Sequence, residues 1–197
     1  MSGTEQLLRS ISTQQGPAPV HLWNPPYCGE IDMRIAADGR WYHDGSLINR
    51  PRMVQLFSSI LRRDDDGFFY LVTPVERVRI RVDDCPFVAQ LLDVEGEGSS
   101  QQLRFTLNTG EHVVAGAQNC LEFDDDEQGA PHPRLHVRHG LYALISRSVF
   151  YQLVDMAQLK PLSDDDKKNN KNKEKSHKLV LYSSGAEFIF GSVQDDF

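Results

Sequence analysis

Residues 49–61, Asn49-Arg50-Pro51-Arg52-Met53-Val54-Gln55-Leu56-Phe57-Ser58-Ser59-Ile60-Leu61, set the architecture, because part of the stretch can be laid over a second segment of the chain. Met53, Val54, Leu56, Phe57, Ile60 and Leu61 fall at the three-to-four spacing of one helix face, and Asp66-Gly67 follows as a stop. At a constant offset of 97, Asn49 meets Ser146, Arg50 meets Arg147, Gln55 meets Gln152 and Leu56 meets Leu153. Each helix pattern follows a strand and precedes a hairpin with a glutamate just after its turn, Glu76 in one copy and Glu187 in the other. Gln55 to Glu76 is 21 residues and Gln152 to Glu187 is 35, and the 14-residue excess is close to the length of a lysine-rich stretch in the second copy. Identities are few, so coincidence stands beside duplication. Read as a duplication, the chain is α+β: two tandem related units, each an antiparallel sheet with one main helix.

On either side of this stretch the pattern is one of strands. Ile31–Ala36, Arg40–His43 and Ser46–Ile48 read as a small meander turned at Asp38-Gly39 and Asp44-Gly45. Phe68–Thr73 and Glu76–Val82 form two more strands joined at Pro74, and a second set follows at Phe87–Glu95, Leu103–Leu107, His112–Ala115, Cys120–Phe123 and Leu135–Ile145, the last broken at Gly140. The second helix runs from Arg147 to about Gln158, and Leu179–Tyr182 with Ala186–Phe190 closes the chain as a hairpin. Thr4, Leu7, Leu8 and Ile11 predict a short helical appendage over residues 1–20, leaving 21–84 and 85–197 as the two units. Asp164–Lys178 has no apolar residue and is expected to be a disordered insert.

Hydrophobic residues make up 40% of the 197, enough for a real core. No apolar run approaches the roughly 18 to 20 residues that span a bilayer, and the amino terminus has no cationic start before an apolar stretch, so a soluble, unexported, cytoplasmic protein is expected. Cys28, Cys85 and Cys120 lie far apart with no Cys-x-x-Cys, which suggests reduced thiols rather than disulfides or a zinc site. The formal charge of −7 argues against sequence-independent nucleic-acid binding. All 14 arginines precede residue 160 and all 7 lysines follow residue 159. A lysine-free body suits bidentate recognition of carboxylate or phosphate, although codon bias gives the same skew.

No phosphate-binding loop, nucleophile elbow or complete calcium loop is present, and His132, His136 and His139 are spaced wrongly for one metal centre. No catalytic residue, metal or cofactor is therefore expected. Arg77, Arg79 and Arg81 stripe one strand face; a nucleic-acid or phosphate platform would want aromatics interleaved on that face and none is expected there, the alternates being Val and Ile, so it reads as a solvated face paired with acids such as Asp93 and Glu95. With Asn49 and Ser146 as caps, Arg50 and Arg147 would sit in first helical turns, where the dipole disfavours cations by about 0.3 to 1 kcal/mol. Either a carboxylate such as Glu76, Glu187, Asp83 or Asp84 meets them, or an anionic ligand does, held with exposed backbone N–H groups. Trp41, between two turns, is a core or rim anchor in one reading and a stacking platform for a ligand base in the other.

Three segments, CGEIDMRIAADGRWYHDGSLINRP, VQLFSSILRRDDDGFFYLVTPVERVRIRVDDCPFVA and LHVRHGLYALISRSVFYQLV, together resemble the bacterial family called domain of unknown function 1285. The likeness runs from about residue 20 to 159, and the closing hairpin resembles that family's end. This resemblance implies a duplicated core, a C-terminal half like a pleckstrin-homology roll, a ligand site where the halves meet and a role in signal transduction, with no established activity. The expectation that follows is a non-enzymatic, cytoplasmic module holding a small anionic ligand, a nucleotide-like molecule being one candidate, at the junction of its halves. Arg50, Arg138 and Arg147 would meet the anion, Trp41 would stack, and Glu76 and Asp84 would bond the ligand or serve as internal counterions. The alternative is a protein–protein interaction module with structural arginines and no small-molecule ligand.

Overall fold

The computed structural model describes residues 17–161 and 175–194, so the appendage helix and most of the lysine-rich insert lie outside the described residues. The first meander is β1 (Tyr27–Ile35), β2 (Trp41–His43) and β3 (Ser46–Leu47). Helix α1 (Pro51–Ser59) then leads into a second meander, β4 (Leu61–Arg63), β5 (Phe69–Val72) and β6 (Arg77–Val82). The six strands form one sheet in the order β3-β2-β1-β6-β5-β4. Expectation and structure differ at the centre of this sheet. It is mixed rather than antiparallel, because β1 and β6, the inner strands of the two meanders, pair in parallel, with Tyr27 opposite Arg77 and Arg34 opposite Arg81. Parallel neighbours cannot be joined by a tight turn, and here α1 lies in the connection between the two meanders.

Helix α1 starts one residue later than expected. Arg50, not Asn49, is the N-cap, with φ −102° and ψ 106°, because Pro51 occupies the first helical position and drives the residue before it into the extended region. The helix also ends sooner, at Ser59, and Leu61 belongs to β4, a strand the periodicity concealed because its apolar residue continued the helical spacing. One face of the sheet, with Met33, Ile35, Trp41, Leu71 and Ile80, is buried together with Phe57 of α1. Burying side chains of this size stabilises by roughly 1.5 to 3 kcal/mol each. The turn at Gly39 is held by Asn108, which accepts from Val88 N–H and donates to the Gly39 carbonyl. Gly39 has φ +79°, and a Cβ there would lie 2.5 Å from the Asn108 amide nitrogen. Only glycine suits both the dihedral and the contact.

The second sheet comprises β7 (Phe87–Glu95), β8 (Gln102–Leu107), β9 (His112–Val114), β10 (Leu121–Asp125), β11 (Pro131–Arg138) and β12 (Leu141–Ile145), in the order β10-β11-β12-β7-β8-β9. Read from its other edge, this is the same sequence of strands as in the first sheet, two meanders meeting at their inner strands. The helices break that equivalence. Helix α2 (Arg147–Met156) follows the sixth strand of the second sheet, whereas α1 sits between the third and fourth of the first. A third sheet follows α2, with β13 (Gln158–Pro161), β14 (Lys175–Ser183) and β15 (Ala186–Gln194) in sequence order. Lys175–Lys178, expected within the disordered insert, are ladder residues of β14, since β15 pairs back as far as Lys175 opposite Gln194. Around α2 the core buries Val149 and Leu153, and Phe190 of β15 packs against Phe123 and Phe150 with ring centroids 4.5 and 5.2 Å away.

By contacts the chain forms two compact units. The first takes the chain through Val88 plus Asn108–Glu111 and Val137–Tyr142, and the second takes Ala89–Leu107, His112–His136 and the chain from Ala143. No helix among the described residues is long and apolar enough to cross a membrane.

Candidate functional site

The open face of the first sheet gathers the arginine stripe. Strand alternation turns Val78 and Ile80 to the core and Arg77, Arg79 and Arg81 outward. The expectation that this face lacks aromatics is overturned, because segments outside β6 bring them to the stripe. Arg79 lies 4.5 Å over the ring of Phe68, and Arg77 lies 4.9 Å from the ring of Tyr70 and 5.9 Å from that of Tyr27. Such stacking keeps the weakly hydrated guanidinium on a ring face while its in-plane N–H groups stay available. Tyr27 and Phe68 are half exposed, at 52% and 50%.

Carboxylates also meet the arginines of this face. Arg79 donates from Nε and Nη2 to the single oxygen Oε2 of Glu30, at 3.0 and 2.6 Å. Arg77 Nη1 donates to Asp64 at 2.6 Å, and Arg62 donates to the same carboxylate from Nε at 2.5 Å. Arg34 on β1 donates through Nε and Nη2 to Asp83, and that hydrogen bond, with the adjacent charge, holds the Asp83 carboxyl below the usual carboxylate range. Tyr70 donates its hydroxyl to Asp66 at 2.7 Å, which lowers the Asp66 carboxyl and raises the tyrosine hydroxyl. Arg81 is exposed, and its side chain makes no ion pair or hydrogen bond among the described residues. The acids expected to pair the stripe lie elsewhere: Asp93 and Glu95 are on β7, where Glu95 pairs with Arg104. Cross-strand partners come from segments remote in sequence, so spacing along β6 did not identify them.

The six residues singled out in the sequence have divergent environments. Trp41 is 1% exposed and stacks on Phe57 with centroids 6.1 Å apart, so it is a core anchor and its ring is closed to a ligand base. Arg138, whose side chain is 13% exposed, donates from Nη1 to both oxygens of Glu111 at 2.7 and 2.6 Å and from Nη2 to the Ser58 carbonyl at 2.9 Å, with Phe87 beneath at 5.1 Å. It fastens the last turn of α1, where a cation is favoured, and its counterion is internal. Glu111 was missed because it follows Gly110 in a turn, with no periodicity to mark it. Arg50 is exposed and, as the N-cap, is only half within the helix, one position further from its first turn than expected. Arg147 does open α2 and is exposed, and like that of Arg50 its side chain has no ion pair or hydrogen bond among the described residues. The α2 start has no side-chain cap, the hydroxyls of Ser146 and Ser148 lying 3.2 Å apart instead. Glu76 and Asp84 are half-buried. Glu187 meets lysines rather than arginine: Lys160 at 2.6 Å and Lys178 at 3.2 Å, with Tyr182 donating at 3.0 Å, and the hydrogen bond from Lys160 holds its carboxyl low.

A family model described as "Domain of unknown function (DUF1285), N-terminal domain" matches residues 18–85, and one described as "Protein of unknown function (DUF1285), C-terminal domain" matches residues 86–189. A crystal structure of a DUF1285 family protein from Silicibacter pomeroyi DSS-3 is 49% identical, covers 95% of each chain and has a TM-score of 0.80. Another, from Shewanella baltica OS155, is 26% identical over 62% of this chain and 90% of its own, with a TM-score of 0.50. No curated protein matches the chain.

Proposed function

We propose that this chain, which belongs to the DUF1285 family, is a non-enzymatic binding module that docks a protein partner on the open face of its first sheet. The observation that carries this reading is the stack of arginines on exposed rings, Arg79 on Phe68 and Arg77 beside Tyr27. Tyrosine and arginine are enriched among the residues that carry binding energy at protein interfaces, and a guanidinium already positioned by Glu30 or Asp64 has less side-chain freedom to lose on docking. Co-purification with the tagged full chain, followed by titration of the recovered partner, tests it. Tyr27→Ser and Phe68→Ser should each weaken binding by at least about tenfold, the size of a moderate interface hot spot. A partner bound equally well by both variants would overturn the reading.

The small-anion reading keeps one observation in its favour. Arg147 meets no carboxylate among the described residues, and the first turn of α2 is uncapped beside the Ser146 and Ser148 hydroxyls, a combination that suits a phosphate or carboxylate. Thermal shift against nucleotides and inorganic phosphate should then give a rise in melting temperature that disappears in Arg147→Ala. The same rise in that variant would remove this site. A pleckstrin-homology-like reading of the C-terminal domain is supported by six strands followed by a helix with Val149 and Leu153 buried. The cytoplasmic assignment is supported by three free cysteines, Cys28 among them exposed.

A further inference from the structure

We infer that the occupant of the open face of the first sheet is a second copy of this chain, held by reciprocal Arg79–Glu30 pairs across a two-fold axis. This rests on reading that face as a docking surface, and it names the partner.

Bonding capacity is left unused at the centre of the face. Arg79 uses Nε and Nη2, both on Glu30 Oε2, so Nη1 and Oε1 make no hydrogen bond among the described residues. Arg79 is 34% exposed and Glu30 is 53% exposed, so both reach a neighbour. A two-fold interface must be complementary to itself, each donor patch facing an acceptor patch of the same surface. Here an unused donor and an unused acceptor lie side by side, as reciprocal pairing requires.

Charge points the same way. The chain carries −7, so two copies repel over most orientations. The open face exposes Arg34, Arg77, Arg79 and Arg81 against Glu30, Asp32, Asp66 and Asp83, a balance that relieves that repulsion locally. Tyr27 and Phe68 flank the central pair and supply the apolar contact that charge pairing alone lacks. A strongly anionic partner such as a nucleic acid would meet the carboxylates of this face, and a strongly cationic one its arginines.

Sedimentation of the full chain between about 1 and about 100 μM, the range of weak specific dimers, should reveal a monomer–dimer equilibrium. Glu30→Arg and Arg79→Glu should each weaken it by about tenfold or more, with circular dichroism unchanged. Mixed in equal amounts, the two variants should associate with each other. The substituted position 79 of one then faces the substituted position 30 of the other with opposite charge, and the unaltered Arg79 and Glu30 face each other as in the wild type. Restoring the pair inside one chain cannot produce that result. If either swap unfolds the chain, Phe68→Ser replaces it and should lower the dimer fraction alone. A wild-type monomer throughout, or a mixture no more associated than its components, would overturn the inference. A monomer whose Tyr27→Ser variant still loses a different protein would sink the second copy while leaving the docking surface standing.

Discussion

Arg138 and Arg79 have nearly the same partners and opposite roles. Each guanidinium meets one carboxylate and lies over one phenylalanine ring, Glu111 and Phe87 for Arg138, Glu30 and Phe68 for Arg79. Arg138 adds a backbone carbonyl at the end of α1 and is 13% exposed, whereas Arg79 is 34% exposed and keeps a donor unused. Burial separates them. Where solvent is excluded, a lost partner leaves a desolvated charge, so the cluster holds the fold. Where water reaches, the pair contributes little to stability and can exchange partners.

Experiment can undo this contrast, most forcefully at the buried arginine. Arg138→Ala should destabilise the protein by roughly 3 kcal/mol in urea unfolding, because Glu111 and the Ser58 carbonyl lose their donor in a mostly buried site. Gly39→Ala should cost about 2 kcal/mol, from the positive φ and the Asn108 contact, and would show that the turn beside the core tolerates no side chain. Arg79→Ala should change stability by no more than about 1 kcal/mol while weakening association. A loss as large as that of Arg138→Ala would erase the distinction. Acid probes the open face next. Asp66 and Asp83 titrate lower in the fold than their ordinary 3.8, so their stabilisation is complete above that value and disappears as pH falls through the lower, folded values. Melting temperature should therefore decline below about pH 4, and Asp83→Asn should flatten part of that decline. Arg50→Ala should move stability by a few tenths of a kcal/mol at most, since its side chain bonds nothing among the described residues.

The elements legible in the sequence were those with strong local signals. The DG turns, both helices and the Ser184-Gly185 hairpin follow from periodicity and turn chemistry, and the hairpin's turn residues have φ 51° and 75°. The parallel β1–β6 pairing was hidden because nothing local to either strand names a neighbour some fifty residues away. The same distance hid the site. Spacing located Arg77, Arg79 and Arg81, yet Glu30, Tyr27 and Phe68 become their neighbours only through that pairing and the β5 turn. Arg50 was misplaced by one position because the constraint that proline puts on its predecessor outweighs the capping preference of asparagine.

Arg81→Cys in a Cys28→Ser background puts an exposed thiol on the open face, while Cys85 is buried and Cys120 half-buried, so its reaction with a maleimide reports on that face. The labelling rate should fall several-fold as the protein concentration rises and should stay constant when Arg79→Glu is added to the same background. A rate independent of concentration, and of any added binding protein, would mean that nothing docks on this face.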